Sequence, residues 1–290
     1  MLRSVAPWVA LFRPWQWVKN GFVLSPLLFS GLALDLPSVT RAFLAFAAFS
    51  CAASAVYAFN DVADRAADRH HPTKRLRPVA AGQITARGAL FGAVGALLLG
   101  LALASFLPTG FSVIVAGYVA LNALYSTWLK RVVLLDVFAI AGFFLLRLLG
   151  GAVAIEVPPS VWLLLCGGLL ALYLGFAKRR HELVLLQERS GEHRGVLLQY
   201  DVALLDQIAS VLLAVTVVAY IMYTLSGSHS QRAGSPLVLS VVFVLYGVFR
   251  YLYLVHGHGR GDPSETLLTD RPLLAAIGLW VLYCGWVLYA

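Results

Sequence analysis

Charge is what this sequence has least of. Asp, Glu, Lys and Arg make up 12% of its 290 residues, about half of the roughly 25% that an ordinary soluble domain carries. So few charges cannot cover a water-facing surface, and a soluble globule is excluded. Cysteine is scarce too. Cys51, Cys166 and Cys284 each fall within an apolar stretch, with no metal-ligand spacing and no evident pairing, and read as small packing residues. The seven histidines show no metal-site spacing either. The alternating segments of about ten residues that mark a transmembrane β-barrel are missing. So is the short apolar core and small-residue cleavage site of a signal peptide; the N-terminal region is instead a tryptophan-rich basic segment, Arg13 to Asn20.

What is present is apolar. Hydrophobic residues account for 60% of the chain and come in blocks close to the ~20 residues that carry an α-helix across a bilayer. Nine candidate spans follow, at 17–34, 41–60, 88–106, 111–129, 133–154, 160–177, 207–226, 236–255 and 273–289. The expectation is an all-α, polytopic membrane protein forming one transmembrane domain over residues 1–290.

The sparse cations sort the loops. Arg3, Arg13 and Lys19 precede or open the first span. Arg65, Arg69, Lys74, Arg75, Arg77 and Arg87 follow the second, and Lys130 and Arg131 the fourth. Lys178, Arg179, Arg180, Arg189 and Arg194 follow the sixth, and Arg250, Arg260 and Arg271 lie around the end of the eighth. Only Arg41 and Arg232 fall on the other side. The positive-inside rule then places the N-terminus and the long loops in the cytoplasm. The two largest of these loops lie four helices apart, as a duplicated four-helix unit would put them. The formal net charge of +8 sits at the membrane surface, where lipid headgroups attract it. Nucleic acid is not an expected partner, because the basic residues occupy short loops of a membrane domain.

The second span ends in Asn60-Asp61-Val62-Ala63-Asp64-Arg65-Ala66-Ala67-Asp68. On a helix continued through Asp68, the carboxylates of Asp61, Asp64 and Asp68 share one face, with Asn60 beside it. Three stacked carboxylates repel unless a cation lies among them, and Mg²⁺, hard and oxygen-seeking, is the natural candidate. Lys74, Arg75 and Arg77 follow within one loop and suit phosphate oxygens. A plain solvated helix end with local ion pairs explains the cluster less well, since Asp64–Arg65 and Asp68–Arg69 are adjacent positions that do not face each other.

The sixth span ends in Lys178-Arg179-Arg180-His181-Glu182. Three cations there complement the helix dipole, or form an anion clamp with Lys178 and Arg179 on phosphate and Glu182 as a further metal or hydroxyl ligand. Arg147 lies well inside the fifth span, where a charge is costly and faces a cavity or a partner. Further candidates are Lys19 with Asn20, Asn122 with Tyr125, Lys130, and Tyr200 with Asp206; interfacial anchoring is the plainer role for each.

In these residues the chain resembles the UbiA superfamily of intramembrane prenyltransferases. The motif Asn60-Asp61-x2-Asp64-x3-Asp68, followed by Lys74 and Arg77-Pro78, carries the likeness. The resemblance implies a UbiA-type helical bundle and a Mg²⁺-bound diphosphate held by Asp-rich motifs. The usual second motif, D-x-x-x-D, is missing after the sixth span, where Lys178 to Glu182 stand instead. The pattern is closer to one branch, the decaprenyl-phosphate phosphoribosyltransferases. Arg13-Pro14-x2-Trp17-Val18-Lys19-Asn20, Tyr125-Ser126-x2-Leu129-Lys130, Leu146-Arg147, Lys178-Arg179-x2-Glu182 and Asp262-Pro263-x-Glu265-x4-Asp270-Arg271 match it. That branch implies a bacterial plasma-membrane enzyme of cell-wall synthesis that takes phosphoribosyl pyrophosphate as donor and a polyprenyl phosphate as acceptor. Lys74, Arg77 and Lys178 would neutralise donor phosphates, and Arg147 or Lys19 would guide the lipid phosphate. Two alternatives remain: a UbiA-type enzyme moving a prenyl group from a prenyl diphosphate to an aromatic or other small acceptor, and a transporter. The gathering of charge on one face disfavours the transporter.

Overall fold

The computed structural model describes residues 2–71, 73–187, 199–226, 236–257 and 269–289. Pro72, the loop cations Arg189, Arg194, Arg232 and Arg260, and Asp262, Pro263 and Glu265 lie outside these residues. All secondary structure among the described residues is helical. A short helix α1 (Leu2–Phe12) leads into a 3₁₀ segment (Pro14–Leu24) and α2 (Ser25–Phe29). There follow α3 (Leu36–Ala63), α4 (Arg65–His70), α5 (Ala86–Ala104), α6 (Thr109–Thr127), α7 (Leu135–Ala154) and α8 (Val161–Gln187). The last are α9 (Val202–Ser226), α10 (Val241–Gly257) and α11 (Arg271–Tyr289).

Eight helices among the described residues are long and apolar enough to cross a membrane. They correspond to the second through ninth expected spans. The first expected span, 17–34, is different: it is not one α-helix but the 3₁₀ segment Pro14–Leu24 joined to the five-residue α2. Hydropathy could not see this, because a tighter helix keeps the same composition. At about 2.0 Å rise per 3₁₀ residue and 1.5 Å per α residue, the combined rise of the two segments is roughly 30 Å at most.

The chain divides into two compact units, Met1–Thr127 with Leu146–Pro159, and Trp128–Leu145 with Ser160–Ala290. In the first, α3 packs along α5. Helix α3 starts at Asp35, whose carboxylate accepts the Ser38 N–H at 3.0 Å; α5 starts at Thr85, whose hydroxyl accepts the Gly88 N–H at 3.0 Å. Both are N-caps that satisfy otherwise unpaired donors. The interface is built from small residues: Ala45, Ala48, Ala52 and Ala58 of α3 are buried, as are Ala89 and Ala93 of α5. A Cβ on Gly100 would lie 3.1 Å from the Ala48 carbonyl oxygen, so the backbones approach as only small residues allow, the usual device inside membranes. Phe49 fills the space beyond, edge-on to Phe111 and Tyr118. With 28 residues, α3 is about 42 Å long, more than the hydrocarbon requires.

In the second unit α8 packs on α9 through Tyr173, Ala177, Ala209 and Leu213, joined by Tyr251 and Leu273. The polar groups placed in this apolar setting find one another: the Tyr220 hydroxyl lies 2.6 Å from Ser240 Oγ and accepts the Trp280 indole N–H at 2.8 Å.

Candidate active site

Helix α3 does not continue through Asp68. It stops at Ala63, with Asp64 as its C-cap at φ −88°, ψ 2°, and α4 begins at Arg65. The single continuous face expected for the three aspartates is thus interrupted at the middle one. Backbone hydrogen bonds bridge the break on both sides, from Asp64 N–H to the Asn60 carbonyl and from Asp68 N–H to the Asp64 carbonyl, each 2.8 Å. The outer two carboxylates still converge. Arg77 places Nη1 2.7 Å from Asp68 Oδ2 and 3.3 Å from Asp61 Oδ1. Arg13 adds Nη2 at 2.6 Å from the same Asp61 oxygen. Asp61 is 1% exposed and Asp68 3%. Asp64 is half-buried, and its carboxylate joins no ion pair among the described residues.

The cation that stacked carboxylates demand is therefore supplied here by guanidinium groups. Among the described residues no three His, Cys, Asp or Glu side chains form a ready metal cage. One observation nonetheless fits a hard cation. Asp61 Oδ2 is buried and has no hydrogen-bond partner, although an unsatisfied buried carboxylate oxygen is costly. An open oxygen beside two further aspartates is the donor chemistry Mg²⁺ takes.

The neighbours of this cluster come from several elements of the same unit. Asn60 accepts a 3.2 Å hydrogen bond from the Ser126 hydroxyl of α6. Lys74 opens a 3₁₀ turn, Lys74–Leu76, and its N–H points at His71 Nδ1, 3.3 Å away. Arg75 is exposed, while Lys19 and Tyr125 are half-buried. Arg13 was not among the residues expected at the site. Its backbone is left-handed, φ 51° and ψ 59°, which costs a non-glycine residue roughly 1–2 kcal/mol. Its guanidinium also lies 5.3 Å from the centre of the Tyr57 ring. The sequence offered two signals, an arginine directly before Pro14 at a membrane surface and its place in the Arg13–Asn20 stretch that carries the resemblance; its partner stands 48 positions away.

Arg147, expected to guide a lipid phosphate, is 3% exposed and held within the same unit. Its Nε donates to Asn20 Oδ1 at 2.7 Å and its Nη2 to the Tyr118 hydroxyl at 3.1 Å. Asn20 in turn donates to Ser50 Oγ at 3.0 Å. This network fixes the 3₁₀ segment against α3, α6 and the second half of α7. Gly151 completes the approach: a Cβ there would overlap the Val23 carbonyl.

The second unit holds the other expected constellation. Helix α8 runs unbroken through it. Arg179 turns inward, 2% exposed, with Nε 2.7 Å from Asp136 Oδ2 and Nη1 2.5 Å from Glu182 Oε2. The expected pairing of Arg179 with a phosphate gives way to a buried carboxylate, Asp136, with 0% exposure. Asp136 also accepts the Tyr200 hydroxyl at 2.9 Å, and burial pushes the Tyr200 phenol up to about 12, so it remains a donor. Arg180 pairs with Asp206 at 2.5 Å. Lys178 is exposed and Lys130 half-buried in the turn Leu129–Arg131.

A model of the UbiA prenyltransferase family matches residues 23–269. The decaprenyl-phosphate phosphoribosyltransferase of Mycobacterium tuberculosis is 33% identical over 285 residues, covering 97% of this chain and 94% of that protein. The protein of the same name from Corynebacterium glutamicum is 33% identical over 280 residues, 94% of this chain and 84% of its own length. Among solved structures, a UbiA homolog from Archaeoglobus fulgidus bound to DMAPP and Mg²⁺ matches with a TM-score of 0.74 at 18% identity, covering 97% of this chain and 98% of that one.

Proposed function

This chain belongs to the UbiA prenyltransferase family, and from that premise we propose that it moves the 5-phosphoribosyl group of phosphoribosyl pyrophosphate to a polyprenyl phosphate. It is an integral membrane transferase. The observation that carries the choice of substrates is the near end-to-end similarity to decaprenyl-phosphate phosphoribosyltransferases. The buried Asp61, with one oxygen open, supports the chemistry.

Asp61, Asp64 and Asp68 would hold Mg²⁺, which supplies charge neutralisation for a departing pyrophosphate. Arg77, already between two of these carboxylates, together with Lys74 and Arg75 from the same loop, binds the remaining phosphate charge as it develops. Lys19 and Tyr125, in the same compact unit as the aspartates, contact donor or acceptor oxygens. A phosphate oxygen of the lipid attacks the anomeric carbon, the bond from that carbon to the pyrophosphate breaks, and pyrophosphate leaves with the electron pair. The attacking phosphate is anionic near pH 7, so no strong base is needed. The N-terminus and the active-site loops face the cytoplasm of a bacterial plasma membrane, where a soluble donor reaches them.

The test is direct. Purified protein in lipid nanodiscs, given polyprenyl phosphate, Mg²⁺ and phosphoribosyl pyrophosphate labelled in the sugar, yields lipid-soluble label and free pyrophosphate. Absence of label in the lipid, alongside robust prenyl transfer from a prenyl diphosphate to an aromatic acid, overturns the choice of substrates.

A further inference from the structure

Arg13 has no part in the transfer as set out above, yet it touches the site's most buried carboxylate. Its side chain is 20% exposed and that of Arg77 26%, against 1% for Asp61, so the cations rather than the carboxylate meet the outside. Two guanidiniums crowd Asp61 Oδ1, and none reaches Oδ2. The two cations are not held alike. Arg77 has a second and closer carboxylate in Asp68, at 2.7 Å. Arg13 has Asp61 as its carboxylate partner among the described residues, and otherwise rests near the Tyr57 ring. A divalent ion on Asp61 would sit among like charges, and repulsion then falls on the cation with one carboxylate partner rather than two. A guanidinium set loose there presents a planar fork of donors suited to two phosphate oxygens.

We propose that Arg13 is a displaceable counter-cation: it neutralises Asp61 while no metal is bound, and moves onto the donor's pyrophosphate when the metal takes the carboxylate. The proposal rests on the metal–pyrophosphate reading of the site. It makes Arg13 a substrate-binding residue whose resting partner is a catalytic carboxylate. Pro14, which follows it, and the hydrogen bonds from Arg13 N–H to the Val9 carbonyl and from Gln16 N–H to the Arg13 carbonyl hold the backbone, so the exchange is a side-chain movement.

Binding measurements on the full chain in nanodiscs decide it, with Mn²⁺ as a spectroscopically visible stand-in for Mg²⁺ and inorganic pyrophosphate as the ligand. Arg13→Gln binds Mn²⁺ alone several-fold more tightly than the native chain, because a competitor for Asp61 is gone. With Mn²⁺ saturating, it binds pyrophosphate at least about tenfold more weakly, the loss expected for a bidentate guanidinium contact. Arg69→Gln, which removes a nearby charge not in contact with Asp61, shifts neither value more than about twofold, as expected of an exposed, screened charge. Arg13→Lys keeps the native Mn²⁺ affinity and recovers only part of the pyrophosphate affinity; this variant preserves the charge on Asp61 and decides the matter by itself if the glutamine variant does not fold. Native pyrophosphate affinity in either Arg13 variant overturns the proposal and leaves the transferase reading standing. Failure of the native chain to bind Mn²⁺ or pyrophosphate overturns both.

Discussion

Arg77 reaches back nine positions to set its Nη1 2.7 Å from Asp68 Oδ2. The loop that follows α4 thus folds its own cation into the acidic cluster that α3 and α4 present. Asp61 shares that cation at 3.3 Å, and the two carboxylates are joined although the helix carrying them breaks between them. An isolated pair of buried carboxylates would repel. Here the repulsion is offset before any metal arrives, which leaves the site assembled and its Asp61 Oδ2 available.

Asp61→Asn and Asp68→Asn keep side-chain shape and remove charge. Each is expected to lower turnover at least about a hundredfold, the scale of losing a preorganised electrostatic contact to the transition state. The helical circular dichroism and the size-exclusion profile stay as in the native chain. Near-native incorporation of labelled phosphoribosyl into lipid by either variant would remove these aspartates from the metal site.

Removing divalent cations separates chemistry from folding. Arg13 and Arg77 already neutralise Asp61 and Asp68, so chelation is expected to abolish turnover with little loss of thermal stability. Adding back Mg²⁺ restores turnover. A chain that unfolds or aggregates on chelation would show that the arginines do not carry this neutralisation.

Ser126 is a positioning residue for Asn60. Its hydroxyl donates to Asn60 Oδ1 at 3.2 Å, which fixes the orientation of the amide next to Asp61 in the chain. A neutral hydrogen bond is worth about 1 kcal/mol, so Ser126→Ala is expected to lower kcat/KM about fivefold, and Ser126→Thr to restore it. Equal loss in both variants would mean that packing, not the hydrogen bond, matters at this position.

Much of this was legible in the sequence, and what was not has a common cause. Eight spans followed from apolar runs of the right length. The form of the first did not, because a tighter helix keeps the same composition, and hydropathy does not register the partners of its Asn20, Ser50 and Arg147, 30 and 127 positions away. The aspartate spacing pointed to convergent carboxylates; Asp61 and Asp68 do converge, but across a break at Asp64 and around Arg77 rather than along one helix face. Arg13 is visible in the sequence as a basic residue of the Arg13–Asn20 stretch, but its partner Asp61 is not, because 48 positions separate them. Lys178-Arg179-Arg180 reads as an anion clamp for the same reason: the carboxylate that claims Arg179 lies 43 positions earlier.

That last pairing yields the sharpest separation of a structural from a catalytic role. Asp136 is fully buried, and Arg179 is the cation that meets it. Arg179→Met leaves Asp136 with only the Tyr200 hydroxyl and the remaining polar contacts of the pocket. Breaking a buried pair from one side costs about 3–5 kcal/mol, so the variant is expected to express poorly and to lose its monodisperse peak at a lower temperature. Replacing both partners, Arg179→Met with Asp136→Leu, removes the stranded charge along with its partner and is expected to recover most of that stability, as buried ion pairs replaced together commonly do. If Arg179 serves only to hold this strut, the double variant also recovers turnover and native donor KM. A double variant that is stable but has a donor KM raised by about tenfold or more would instead return Arg179 to the phosphate-binding set, because a residue lost only from the strut leaves the donor's phosphates untouched.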